Sequence, residues 1–346
     1  MRLLFYVPRT AESGGISGGL ISGRHLWTAV GMRGHSVAVL TGAAADQTEP
    51  VAALDCGSYV QLAARDPAGA IGPLLEQVRA DAVVFTTSSQ IAAPIAACRA
   101  ADLPVVMNFL TADLHALDVT FTSDPGFLYL ANSSFLASRL TAWFGITAEV
   151  VHPIVHPVRL DPSVRQDRVL FINPVPQKGW AIAAAVMRAL PRTPFIVIES
   201  WRLDAPWRAY CRGSIADIGN IDWRSAVEDM TPIWSRTRVL LMPSVWEEAW
   251  GRAGAEAVAA GIPVVASNRG GLPQAVGPGG VIVDVHAPIA EWTAAVARLM
   301  SDDQHHAAVG AAGRAHAARS EVQPDVLADR FVALVSEHVE RYGNRD

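Results

Sequence analysis

Two carboxylates and one amine carry the chemistry that this sequence offers most plainly. Glu248 and Glu256 lie eight positions apart in WEEAWGRAGAEAVAAGIPVVAS, the stretch from Trp246 to Ser267. A strand is expected in RVLLMPS, a loop in VWEEAWG, and a helix from about Gly251 onward. Eight helical steps would span roughly 12 Å, about the distance from the sugar to the ribose of a nucleotide sugar. A carboxylate near a helix N-terminus also has a plainer reading, as a cap or dipole partner. That reading suffices for Glu248 but explains Glu256 poorly, because its neighbours are Ala, Val and Gly.

The amine is Lys178, the only lysine in 346 residues. It sits in FINPVPQKGW, ahead of an expected helix, where an ammonium can meet a diphosphate as a point charge; alone it could equally be a solvated surface group. Two glycine-rich loops accompany these residues. SGGISGG, residues 13–19, fits neither the dinucleotide fingerprint nor a Walker A loop, but its backbone amides could approach an anion. SNRGGLPQAVG, residues 267–277, is either another ligand loop or a turn. His152 and His156 are separated by Pro153, which argues against a helical metal pair. No G-x-S-x-G elbow occurs.

These residues need a scaffold of alternating strands and helices. RLLFYVP, SVAVLTG, DAVVFTTS, LPVVMNFL, GFLYLANSS and AEVVHPIV are expected strands of a first parallel sheet. VLFINP, PFIVIES, RVLLMPS, IPVVASN and GVIVD form a second. The proline-rich HPIVHPVRLDPSVRQDR reads as a linker. The alanine-rich 287–318 and the amphipathic DVLADRFVALVSEHVERY read as helices. The expected domains are 1–155 and 156–325, with a last helix, 326–346. The class is α/β, two doubly wound Rossmann-like domains facing a central cleft, with ligands outside the carboxyl ends of the strands.

The totals agree with two ordinary cores: hydrophobic residues make up 51% and charged residues 18%. A net charge of -5 argues against a nucleic-acid partner, while leaving a peripheral membrane contact open. Cys56, Cys98 and Cys211 have no C-x-x-C spacing, which suits a reducing compartment rather than a disulfide framework or zinc site. No signal peptide and no transmembrane run is read, so a cytoplasmic location is expected.

Taken in order, the features resemble retaining GT-B glycosyltransferases, specifically glycosyltransferase family 4. The donor-site segment of that family is matched by Pro243, Ser244, Glu248, Trp250, Gly251, Glu256, Ala257, Gly261, Pro263, Val264, Val265, Ala266, Gly270 and Gly271. Gly14–Gly15, Asn132 and Lys178–Gly179 resemble further landmarks. The resemblance is strong from about 165 to 285 and weak before that. It implies that the second domain binds a nucleotide-diphosphate sugar, with UDP or GDP foremost. Glu256 would hold the ribose. Glu248, with backbone amides near Ala249, Trp250 and Gly251, would hold the sugar. Lys178 and the amides of Gly15 and Ile16 would neutralise the leaving diphosphate. No cofactor or metal is expected. The first domain would take the acceptor (a glycan, lipid or small metabolite), as in bacterial-type glycoconjugate biosynthesis. The last helix would pack back on that domain, and the anomeric configuration would be retained.

The sequence departs from the family in three places. Asn173–Pro174 replaces a Gly-Arg, so one phosphate cation is missing; Arg252 could supply it or serve packing alone. Gln274 stands where a Glu is frequent. Near Leu110 and Thr111 the usual His is absent, and Asp113 is the nearest candidate. These departures motivate an alternative: a non-catalytic sugar-nucleotide-binding or partner-binding protein that kept the fold.

Overall fold

The computed structural model describes residues 1–8, 17–87, 89–114, 117–201, 203–227 and 229–344. Gly14, Gly15 and Ile16 of the first glycine loop, and His115, lie outside the described residues. The chain divides into two compact units. Of the described residues, the first contains 1–8, 19–154 and 324–344, and the second contains 17–18 and 155–323.

The first unit is built on an eight-stranded sheet. Its strands are β1 (Arg2–Val7), β2 (Ser36–Gly42), β3 (Val51–Asp55), β4 (Val60–Ala64), β5 (Ala82–Thr86), β6 (Val105–Phe109), β7 (Phe127–Ala131) and β8 (Glu149–Val150). They lie in the order β3-β4-β2-β1-β5-β6-β7-β8. Helices α1 (Gly18–Gly31), α2 (Pro67–Val78), α3 (Ala92–Ala100) and α4 (Ser134–Phe144) connect them. The central strands are short apolar runs with no exposed face, the pattern of a parallel sheet covered on both sides. Helix starts are fixed locally: Asp66 Oδ1 accepts from the Gly69 amide, and Ser133 Oγ from that of Leu136.

Two sequence expectations are corrected here. The sheet is not wholly parallel, because β3 runs antiparallel to β4 at the edge. AEVVHPIV yields only the two residues of β8; Pro153 lacks the amide that a longer strand would need.

The second unit carries β9 (Arg168–Ile172), β10 (Phe195–Glu199), β11 (Ile221–Ser225), β12 (Thr237–Met242), β13 (Val264–Ser267) and β14 (Gly280–Val283). All pair in parallel, in the order β11-β10-β9-β12-β13-β14. Counted from β9, that is the 3-2-1-4-5-6 order of the doubly wound fold, whose switch point falls between strands 1 and 4, here β9 and β12. Among the described residues, seven helices flank the sheet: α5 (Trp180–Ala189), α6 (Ala205–Gly213), α7 (Thr231–Arg236), α8 (Arg252–Ala260), α9 (Leu272–Val276), α10 (Ile289–Ser301) and α11 (Asp303–Ala317). One apolar core gathers Phe171, Trp180, Phe195 and Trp292; another gathers Ile196, Trp234, Leu240 and Val264.

The last helix, α12 (Pro324–Gly343), completes the core of the first unit with Leu327, Phe331 and Val335. Phe331 stacks on Phe5 with ring centroids 6.1 Å apart. Arg33 pairs with both Asp325 and Asp329 on the same helix.

Candidate functional site

Three loops leave the carboxyl ends of β9, β10 and β12 and meet at the switch point of the second sheet. The loop after β9 brings Lys178, the loop after β10 brings Trp201, and the loop after β12 brings Ser244, Trp246 and Glu248. Lys178 Nζ lies 2.5 Å from Glu248 Oε1, and the Ser244 hydroxyl donates to the same oxygen at 2.7 Å. The side chains are 16% and 9% exposed, so the pair is largely out of water. The ammonium also lies 5.1 Å from the Trp201 ring centroid and 4.9 Å from that of Trp246. A cation over indole faces is attracted by the ring quadrupole, by about 2 kcal/mol when desolvated.

Glycines let these loops touch. Gly179 follows Lys178 at φ 79°, and a Cβ there would overlap the Pro243 carbonyl. Gly270, at φ 62°, lies against the Glu248 backbone, and the Gly271 amide donates to the Glu248 carbonyl at 2.7 Å. The glycine pair of SNRGGLPQAVG therefore admits one loop to the back of the Glu248 loop. The Val245 amide donates to the Gln177 carbonyl at 3.0 Å, which joins the Lys178 and Glu248 loops through their main chains.

Gly251, at φ 98°, turns the chain into α8, so Ala249 and Trp250 sit just outside the N-terminus of that helix. The helical path begins only at Arg252, so a helical rise does not measure the spacing from Glu248 to Glu256. Glu256 is not isolated among small residues either. Arg252, one turn earlier, places Nε 2.7 Å from its Oε1, with side chains 10% and 20% exposed. Arg252 is thus engaged with Glu256.

Burial acts on the two carboxylates differently. It pushes Glu248 upward, but the Lys178 ammonium, its hydrogen bond and the Ser244 hydroxyl together outweigh it, and Glu248 stays below the usual carboxylate range. Burial pushes Glu256 up, with Arg252 opposing it only in part, and burial pushes Arg252 down. The signs give a prediction. A carboxyl lowered by folding contributes stability that is present above its unfolded value, about 4.3, and lost as pH falls through the folded value. Glu248→Gln should therefore flatten the acid limb of the stability–pH curve. Glu256 has the opposite sign, so Glu256→Gln should steepen the rise of stability above about pH 4.3. Urea midpoints measured across the acid range check both.

Asn173 directly follows β9 in the left-handed region, φ 63°, a conformation Asn adopts more readily than other non-glycine residues. Its side-chain oxygen accepts from the Trp201 amide at 2.8 Å, so it anchors the loop that carries Trp201. Gln274 lies in α9, and its carbonyl meets His316 Nε2 at 3.1 Å. Asp113 belongs to the first unit, exposed in the loop after β6, with its amide bonded to Thr111 Oγ1 at 3.1 Å. His152, set aside as a metal ligand, places Nδ1 3.0 Å from the Asn132 carbonyl.

Sequence reading passed over Trp201 and gave Ser244 no role of its own. Trp201 follows PFIVIES directly, at the carboxyl end of a strand, and that position is its one mark in the sequence. Ser244 was visible only as half of a Pro-Ser pair.

Residues 168–302 match the family Glycosyl transferases group 1. A D-inositol 3-phosphate glycosyltransferase of Segniliparus rotundus is 33% identical over 172 residues, 46% of this chain and 37% of that protein. The enzyme of the same name from Corynebacterium kroppenstedtii is 37% identical over 94 residues, 27% of this chain and 20% of that protein. These matches thus span well under half of the relatives' lengths. Among solved structures, sucrose-phosphate synthase from Thermosynechococcus elongatus superposes with a TM-score of 0.79 at 14% identity, covering 99% of this chain and 100% of that one. Anabaena HepE in complex with UDP-glucose gives 0.74 at 14% identity, covering 97% and 99%. The fold is therefore of the GT-B type, as the sequence analysis expected.

Proposed function

We propose that this chain, whose residues 168–302 match the glycosyl transferases group 1 family, moves a sugar from a nucleotide-diphosphate donor to an acceptor hydroxyl with retention and without a metal. The observation that carries this reading is the buried Lys178–Glu248–Ser244 cluster at the switch point, beside the N-terminus of α8. Cation, carboxylate and helix N-terminus are the three groups that a leaving diphosphate and a sugar would need there.

In the transfer, the bond between the anomeric carbon and the diphosphate oxygen breaks as the acceptor oxygen bonds to that carbon. The hydroxyl proton leaves with the diphosphate. Negative charge grows on the leaving oxygen, and Lys178 meets it as it parts from Glu248. The freed Glu248 carboxylate accepts hydrogen bonds from the sugar hydroxyls, and Ser244 keeps it in place. Glu256 takes the ribose hydroxyls, with Arg252 holding the carboxylate. The amides near Ala249, Trp250 and Gly251 complete the sugar side. Lys178 supplies the charge that a metal would otherwise supply. The named function of the curated relatives puts D-inositol 3-phosphate among the acceptors worth testing.

The experiment is a panel of UDP-, GDP-, ADP- and dTDP-sugars, read by thermal shift and by transfer with and without EDTA. A bound donor at 100 times its dissociation constant adds about 2.7 kcal/mol of stability. One donor should stabilise the chain and support transfer that EDTA leaves intact, and Glu256→Ala should weaken its binding at least about tenfold. Stabilisation without transfer to any acceptor would favour a binding protein instead. No stabilisation by any member would count against the donor site itself.

A further inference from the structure

Lys178 closes a three-residue turn, Pro176–Lys178, and a lysine there has a long flexible stem that its own turn does not fix. Its ammonium is fixed all the same, between the Glu248 carboxylate and two indole faces. Trp201 and Trp246 meet edge to face, with centroids 6.0 Å apart and an interplanar angle of 71°. Each is held through its main chain: the Trp201 amide donates to Asn173 Oδ1, and the Trp246 amide to the Gln177 carbonyl at 3.3 Å. Both side chains are only partly buried and lie outside the apolar cores of the unit. Their packing therefore contributes little to the core; both rings lie against the ammonium, and the Trp246 side chain also hydrogen-bonds the Glu248 carboxylate.

We propose that Trp201 and Trp246 are positioning residues for Lys178, a role that rests on the donor-site reading given above. A carboxylate holds an ammonium by neutralising it, and a group that is neutralised gives little to an arriving diphosphate. An indole face attracts the same cation through its quadrupole and leaves its charge whole. The two rings hold Nζ at one point while its anionic partner changes from Glu248 to the departing diphosphate. They also exclude water from one side of it, which strengthens the new contact.

A chain with a single lysine allows a direct test. Lysine labelled with 13C at Cε gives one side-chain signal, and two indole faces should displace it upfield from that of free lysine. Trp201→Phe and Trp246→Phe keep a π face; Trp201→Leu and Trp246→Leu keep an apolar wall without one. Each Leu variant should lose much of the displacement and about tenfold in kcat, with the donor KM within about threefold. Each Phe variant should keep most of both. A purely structural role would cost the Phe and Leu variants alike. The proposal is overturned if the Leu variants lose the displacement yet keep kcat, or if Phe and Leu variants lose kcat equally. A wild-type chain that transfers no sugar overturns the parent reading and this one with it; a transferring wild type matched by its Leu variants overturns this one alone.

Discussion

Glu248→Gln should lower turnover by about 100-fold while leaving donor affinity within a few-fold. Gln keeps the shape and an oxygen for Ser244 and Lys178, and removes only the charge. In the resting protein the Lys178 ammonium then stays largely buried without its counter-ion, a change that costs about 3 kcal/mol of stability when a buried pair is broken. In the transfer, the sugar hydroxyls lose a charged acceptor in a site that excludes water, where such groups act most strongly. Ribose and base contacts are untouched, so binding persists. Steady-state kinetics with the donor identified by the panel would show a fall in kcat and a nearly constant KM. Equal falls in affinity and stability with kcat unchanged would reduce Glu248 to a structural counter-ion.

Gly270→Ala should be among the most damaging single methyls in the second unit. Gly270 adopts φ 62°, and an added Cβ would run into the carbonyl and amide of Glu248. Those are backbone atoms of a packed loop, so no side chain can swing aside. Left-handed strain and the forced displacement together cost about 3 kcal/mol or more, or a loss of about 6–12 °C in melting temperature. Gly213→Ala is the control: Gly213 lies at the end of α6 with open space at its Cβ position, and alanine there should be neutral or slightly stabilising. Differential scanning calorimetry of both variants checks the contrast. The Gly270 change should also depress transfer in whatever fraction remains folded, because the same loop carries the Glu248 carboxylate.

Much of the second unit was legible because its signals are local. β9, β10, β12 and β13 are short apolar runs that end in Pro, Ser or Asn, and the start of α8 was readable from Gly251 and the apolar spacing after it. Two edge strands, β3 and β11, were not. β3 is exposed over Ala53, Leu54 and Asp55, and β11 reads Ile-Asp-Trp-Arg-Ser, half-buried with charges in it. Strands at a sheet edge need no continuous apolar run, so their sequences carry little of the signal that central strands carry.

The site divides along the same line. Spacing brought Lys178, Glu248 and Glu256 to attention, but not their partners. That Glu256 pairs with Arg252 was present in the sequence as an i, i+4 relation and was passed over in favour of its small neighbours. That Lys178 meets Glu248, 70 positions later, depends on β9 and β12 being adjacent at the switch point, a property of the sheet order rather than of any short window. Trp201 joins them for the same reason, through β10.

The central claim is that Lys178 receives the diphosphate of a nucleotide sugar, and the single lysine makes that claim directly observable. The measurement is a titration of 13C-lysine-labelled protein with UDP, GDP, ADP and dTDP, following the one side-chain signal. The account predicts that at least one nucleotide moves that signal saturably, and that Glu256→Ala shifts the midpoint to higher concentration without abolishing the movement. A folded protein whose lysine signal stays still through saturating additions of all four would contradict it.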